Sequence, residues 1–256
     1  KRAEIAVARN LKPQAEVEKL AAAREDFRGF AESLARPGVR IIAEIKRASP
    51  SRGDLRPDLH PGDLALAYQN GGAAAISVLT EPAFFKGSAK DLKRARDVVE
   101  LPVLRKDFIL EPYQVYETAA MGADAMLLIV RILDDDQLQS LLALARGVGL
   151  ETLVEIHDEA DARRIAGLDV PVVGINNRDL ESFRTDAARA ARLAALLPRG
   201  TAVVAASGIR DEADLQRAIG AGLRRFLVGE TLVTAPDPAA LLKQWTALPV
   251  PPILNS

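Results

Sequence analysis

The chain has 256 residues, 48% of them hydrophobic and 27% charged, enough for one large domain or two small ones with a substantial core. Its 34 Lys and Arg nearly cancel 35 Asp and Glu, for a net charge of -1, so neither nucleic acid nor an anionic membrane is expected as a partner. The lack of cysteine excludes disulfides and thiolate chemistry, His60 and His157 have no metal-ligand spacing, and no apolar run nears the ~20 residues that cross a bilayer.

A cytoplasmic protein is therefore expected, and because the chain begins at Lys1, a short native segment is expected ahead of it. Residues 1–40 read as a helical extension, with KRAEIAVARNL and QAEVEKLAAAREDFRGFAESLA separated by Pro13 and ended by Pro37 and Gly38. Such an extension either plugs the bottom of a domain or covers its mouth. From 41 to 248, short Val/Ile/Leu-rich runs begin near 41, 74, 102, 125, 151, 171, 202 and 224, with amphipathic segments between them. Eight β-then-α units, spaced by roughly 20 to 33 residues, predict a (β/α)8 TIM barrel of parallel strands, an α/β fold. An open doubly wound sheet is the alternative.

Two of the helices carry clear signals. In DDDQLQSLLALARGVG, Leu138, Leu141, Leu142 and Ala145 fall on one face behind an acidic first turn. In DEADLQRAIGAG, Leu215 and Ile219 point inward, Asp211 is the expected N-cap, and Gly220 or Gly222 the stop. Residues 249–256, PVPPILNS, are too proline-rich to continue a helix and read as a tail.

Three strand-like runs end in charge: IIAEIK in Glu44 and Lys46, PVLRKDF in Lys106, and ETLVEI in Glu155. In a parallel barrel every strand tip opens on one rim, so these groups are expected to converge on one pocket. Alternation along a strand puts Glu44 with Lys46, Lys106 with Phe108, Leu153 with Glu155, and Asn176 with Arg178. Burying four ions costs several kcal/mol each, which favours chemistry over scaffolding. Two lysines beside two carboxylates can divide acid and base roles, or one lysine can form a Schiff base.

Ser207 and Gly208 after strand seven, with Gly229 at the end of strand eight, place backbone N–H groups where barrels often bind phosphate. Ser49, in a loop after strand one, is either part of the site or of an ordinary turn. His157 is expected on a solvent-exposed loop. Phe84 and Phe85 offer either a wall for a flat ligand or a loop docked on a helix.

IIAEIKRASPSRG, AISVLTEPAFFKGS, LPVLRKDFIL, ETLVEIH, VVGINNRDL, AASGI and FLVGETL, in this order over residues 15 to 247, resemble the indole-3-glycerol phosphate synthase family. The resemblance implies an enzyme without metal or cofactor that closes the ring of a small phosphorylated substrate, 1-(2-carboxyphenylamino)-1-deoxyribulose 5-phosphate, with loss of carbon dioxide and water. It implies Lys106 as general acid, Glu155 as general base, Lys46 as an anion grip and second acid, and Glu44 as the group balancing the lysines. Asn176 and Arg178 would steer the carboxylate and sugar hydroxyls. Leu79, Phe85 and Phe108 would line the anthranilate pocket, and Ser49, Ser207, Gly208, Gly229 and Glu230 would surround the phosphate. The N-terminal helices would help cap the mouth, and a monomer is expected, with a dimer as alternative. How the lysines share the proton transfers stays open.

Ala206 departs from the family's Glu-Ser-Gly pattern. The missing carboxylate predicts lowered but real activity, raised by Ala206→Glu. A phosphoribosylanthranilate isomerase would require a cysteine, which is missing. A class I aldolase using Lys106 and a non-catalytic barrel binding phosphorylated metabolites are the other rivals.

Overall fold

The computed structural model describes residues 1–176 and 187–250. Its eight barrel strands are β1 (Arg40–Ile45), β2 (Ala75–Leu79), β3 (Val103–Lys106), β4 (Ala125–Ile129), β5 (Glu151–Ile156), β6 (Val172–Ile175), β7 (Ala202–Ala205) and β8 (Arg225–Val228). Each pairs in parallel with its chain neighbours, and β1 joins β8 through Ile41 opposite Phe226, which closes the sheet. Parallel strands covered on both faces need apolar residues at every position, so the predicted onsets fall within a residue of the observed ones. Ile42, Leu104, Leu127, Leu153, Val172, Val204 and Leu227 fill the barrel interior. The opposite parity, including Ile41, Ile76, Val103, Leu128, Val154 and Phe226, packs under the surrounding helices.

Three helices precede the barrel: α1 (Arg2–Leu11), α2 (Gln14–Ala22) and α3 (Phe30–Ala35). Around the barrel run α4 (Pro61–Asn70), α5 (Pro82–Phe85), α6 (Ala89–Arg96), α7 (Pro112–Ala120), α8 (Asp135–Gly147) and α9 (Glu159–Ile165). They are followed by α10 (Ala187–Ala194), α11 (Glu212–Gly220), α12 (Glu230–Thr234) and α13 (Pro238–Thr246). At the start of α8, Asp134 accepts from the Gln137 N–H and Gln137 returns the bond, a reciprocal cap that satisfies two end donors. Leu138, Leu141, Leu142 and Ala145 are buried as their spacing predicts. Asp211 caps α11 through the Asp214 N–H at 2.8 Å, and Gly222, at a φ of 91°, turns the chain where a side chain would be strained. No helix among the described residues is long and apolar enough to cross a membrane.

The extension divides its work. Phe30 and Leu34 of α3, both fully buried, enter the interior cluster from below. Arg40 and Arg225, at the first positions of β1 and β8, donate to the carbonyls of Ser33 (3.0 Å) and Leu34 (2.8 Å), placing cations at the negative end of α3. The floor is thus sealed. By contrast α1 and α2 lie outside, where Ile5 and Val17 pack on Tyr113 of α7 and the Tyr113 hydroxyl donates to the Lys12 carbonyl at 3.0 Å.

Candidate active site

At the C-terminal ends of the strands a cavity of about 510 Å³ opens. Glu44 occupies the inward parity above Ile42, and Lys46 follows one step beyond β1, its Nζ 3.0 Å from Glu44 Oε1. Gly229 faces this pair. A Cβ at that position would lie 2.5 Å from Glu44 Oε1 and 3.0 Å from Lys46 Nζ, so a side chain there would expel the pair from its place.

Lys106 ends β3 with its Nζ 3.7 Å from Glu155 Oε2, and the Asn176 amide donates to Glu155 Oε1 at 3.0 Å. Burial alone would push the Lys106 ammonium down, but Glu155 and Glu44 outweigh it and the pKa is raised. The lysine therefore stays protonated near neutral pH. Strands β1, β3, β5 and the end of β6 thus deliver five of the expected groups to one rim.

The remaining expected residues are distributed unevenly around the cavity. Leu79, Phe85, Ser207, Gly208, Gly229 and Glu230 line it, and Ala206 does so as well. Phe108 packs against the interior cluster. Ser49 is buried in a short hairpin (48–49 with 53–54), its Oγ 3.5 Å from that of Ser51, and it is Ser51 that lines the wall. Arg178 lies outside the described residues. Of the phenylalanine pair, Phe84 is 60% exposed while Phe85 turns to the cavity. The turn responsible is α5, whose first N–H groups, those of Ala83, Phe84 and Phe85, donate to the Glu81 carboxylate.

Two expectations are corrected. The extension does not cap the mouth: among the described residues, none of 1–40 lines the cavity, because α3 is drawn to the apolar floor and α1 to α7. The rim contact of α1 is the Lys1 Nζ, 2.7 Å from Asp107 Oδ1. Nor is His157 on an exposed loop. Its backbone N–H donates to Asp161 Oδ2 at 2.9 Å, which pulls the ring inward until Nε2 stands 3.3 Å from Glu155 Oε1 and the side chain is 16% exposed.

Sequence reasoning also passed over Arg52, Arg210 and Thr231, which line the glycine-rich end of the cavity. Arg52 Nε is 3.0 Å from Glu230 Oε1, spanning the loops after β1 and β8. A second omission is Arg105, on the outward parity of β3. Its guanidinium is 3.0 Å from Asp107 Oδ2 and 2.8 Å from Glu117 Oε2, while the Thr80 hydroxyl donates to Asp107 at 2.7 Å. Burial would raise the Asp107 carboxyl, but Arg105 and Lys1 bring it below the usual carboxylate range. This buried knot fixes the turn directly after Lys106. The alternation that sends Lys106 inward sends its neighbour to the knot. Among the described residues no group of three or more His, Asp or Glu is placed to hold a metal ion.

A closed parallel barrel with ammonium and carboxylate groups on its C-terminal rim, beside glycines at the ends of β7 and β8, defines an enzyme of the (β/α)8 class. Solved structures agree on the fold. An N-acetylmannosamine-6-phosphate 2-epimerase from Clostridium perfringens matches with a TM-score of 0.61 at 16% identity, over 88% of this chain and 98% of that one. KGPDC from Streptococcus mutans gives 0.63 at 13% identity, over 82% and 96%.

The family model for indole-3-glycerol phosphate synthase matches residues 1–245. The indole-3-glycerol phosphate synthase of Desulfosudis oleivorans is 53% identical over 244 residues, 94% of this chain and 93% of its own length. That of Syntrophobacter fumaroxidans is 46% identical over 231 residues, 88% and 86%. The chain belongs to the indole-3-glycerol phosphate synthase family. Its activity is that family's carboxy-lyase reaction in tryptophan biosynthesis, on a phosphorylated substrate.

Proposed function

We propose that the rim groups divide the ring closure of 1-(2-carboxyphenylamino)-1-deoxyribulose 5-phosphate as follows. Lys106 gives a proton to the ribulose carbonyl oxygen as the carboxylate-bearing aromatic carbon attacks the carbonyl carbon. The carbon–carboxylate bond then breaks, its electron pair returns to the ring, and carbon dioxide leaves. The new hydroxyl departs as water after protonation by Lys46, and Glu155 removes the proton from the carbon beside nitrogen to complete the indole.

The observation that carries this reading is the arrangement of Lys106, Asn176 and Glu155, an ammonium held 3.7 Å from a carboxylate that an amide fixes from the other side. A long ion pair leaves the ammonium available to a carbonyl oxygen. Lys46, tight against Glu44, grips the substrate carboxylate before it acts as acid, and Glu44 balances its charge. Asn176 and Arg178 orient the carboxylate and hydroxyls, while Leu79, Phe85 and Phe108 receive the anthranilate ring. The phosphate rests at the opposite end on Ser207 and on backbone N–H groups of Gly208, Gly229 and Glu230, with Ser49 supporting the loop above.

The test follows indoleglycerol fluorescence on adding the ribulose phosphate to the purified chain. Lys106→Ala is expected to lower kcat by about 10²–10⁴-fold. Product formation that survives this substitution unchanged would remove Lys106 from its role.

A further inference from the structure

One polar atom inside the barrel stands without a partner. Ser77, on β2, is fully buried, and among the described residues its hydroxyl meets no hydrogen-bond partner. It shares the inward parity with Ala75 below it and Leu79 above, the first packed in the interior cluster and the second lining the cavity. An alanine at this position would pack as Ala75 does, whereas a buried hydroxyl with nothing to bond carries a desolvation cost. Such a group calls for a reason.

Its neighbour on β1 supplies one. Glu44 and Ser77 are paired positions of adjacent strands, and both point inward, so their Cβ atoms stand about 5 Å apart. The Glu44 carboxylate is held from above by Lys46, whose Nζ is 3.0 Å from Oε1. Strand β1 lies between β8 and β2, and its two flanks differ. On the β8 side the backbone of Gly229 comes so close that a Cβ would lie 2.5 Å from Glu44 Oε1. On the β2 side stands the Ser77 hydroxyl.

We propose that Ser77 is a positioning residue, whose hydroxyl takes hold of the Glu44 carboxylate when Lys46 lets go of it. The inference rests on the assignment of Lys46 as the acid of the dehydration. In that step an Nζ–H bond of Lys46 breaks, the proton joins the departing hydroxyl and water leaves, so Glu44 is left facing a neutral amine. Lys106 offers no replacement charge, because in the proposed order its own proton has already gone to the carbonyl oxygen. A carboxylate only 4% exposed then needs a donor. Ser77 meets that need by rotating its O–H toward Glu44 as the carboxylate turns away from Gly229. No proton changes hands, since the serine donates a hydrogen bond and keeps its hydrogen. Held in this way, Glu44 stays in place to receive Lys46 once the ammonium is restored.

The experiment compares Ser77→Ala and Ser77→Thr with the parent chain, by indoleglycerol fluorescence under steady-state conditions and by urea denaturation without substrate. Ser77→Ala is expected to lower kcat about tenfold, the lower end for a lost hydrogen bond to a charged group, with KM unchanged. Its stability is expected to equal or exceed the parent's, because the hydroxyl it removes has no partner before the reaction. Ser77→Thr keeps the hydroxyl and with it a kcat near the parent's. A merely structural role would instead move kcat and stability together. A Ser77→Ala chain with the parent's kcat, or one whose loss of kcat comes with an equal loss of stability, overturns the proposal. So does a Ser77→Thr chain of parental stability that loses kcat as Ser77→Ala does. Lys46→Met separates the two readings. If it keeps the parent's kcat, the acid assignment fails; if it is impaired while Ser77→Ala is not, the positioning role alone fails.

Discussion

The barrel carries buried ions at both ends, and the two sets differ in how they are closed. At the floor Asp124, just before β4, has a side chain with no exposure. Its Oδ1 accepts from Arg24 at 2.7 Å, Arg96 at 3.3 Å and the Arg28 N–H at 3.1 Å, and its Oδ2 from the Val103 N–H at 2.8 Å. Both oxygens have donors. At the mouth Glu155 is nearly as buried, yet its lysine stands off at 3.7 Å, and that lysine and the Asn176 that holds the carboxylate both border a cavity. The floor is finished by the chain itself, whereas the mouth is finished by a ligand. Burial of charge by itself therefore does not mark a catalytic group; an incomplete shell beside open volume does.

The strongest way to break this contrast is at Asp124. Removing it in Asp124→Ala leaves Arg24 and Arg96 with only the exposed Asp26 as shared counter-ion, and the expected loss is about 3–5 kcal/mol of stability by urea denaturation, with kcat of the folded enzyme preserved. A loss of kcat without loss of stability would make the floor a functional site and erase the distinction.

Asp107 stands between the two regimes, a satisfied carboxylate on the catalytic rim. Asp107→Asn is expected to cost about 1.5–3 kcal/mol near neutral pH, the range for a hydrogen bond to a charged group. The folded pKa is depressed, so the contribution is fully present above the unfolded carboxylate value, about 3.9, and is lost as pH falls through the lower folded value. Melting temperatures of parent and variant should keep a constant gap from neutral pH down to mild acid, then converge in strong acid. A gap that widens in acid would contradict the direction of the shift.

The smallest expected effect sharpens the description of the mouth. Ala206 lines the cavity where the family resemblance implies a carboxylate, and its methyl lies 3.6 Å from where a Cβ on Gly174 would stand. Ala206→Glu is expected to raise kcat severalfold by adding a third acid to hold the lysines. An unchanged or reduced kcat would count against that.

Much of the fold was legible because parallel strands buried on both faces leave unbroken apolar runs, and because Asp134 and Asp211 announce their helices locally. The rim charges were legible for the same reason, since an ion at the end of such a run has few other uses. What was hidden depends on contacts distant in sequence. Nothing near Phe30 or Leu34 distinguishes a floor from a lid; that is decided by Arg40 and by Arg225, nearly two hundred residues away. His157 looks like a loop residue until α9 folds back through Asp161. Arg105 reads as one more charge beside Lys106 until strand parity meets Glu117 of α7.

The sealing of the barrel by α3 makes the catalytic chamber a cul-de-sac. Phe30 and Leu34 fill the floor among the described residues and the cavity lies at the opposite rim, so carbon dioxide, water and indole-3-glycerol phosphate are expected to depart through the aperture that admitted the substrate. The two small molecules can slip past a bound sugar ester, but the next substrate cannot. Traffic is therefore single file for the large species, and the indole product competes with fresh substrate for the same doorway.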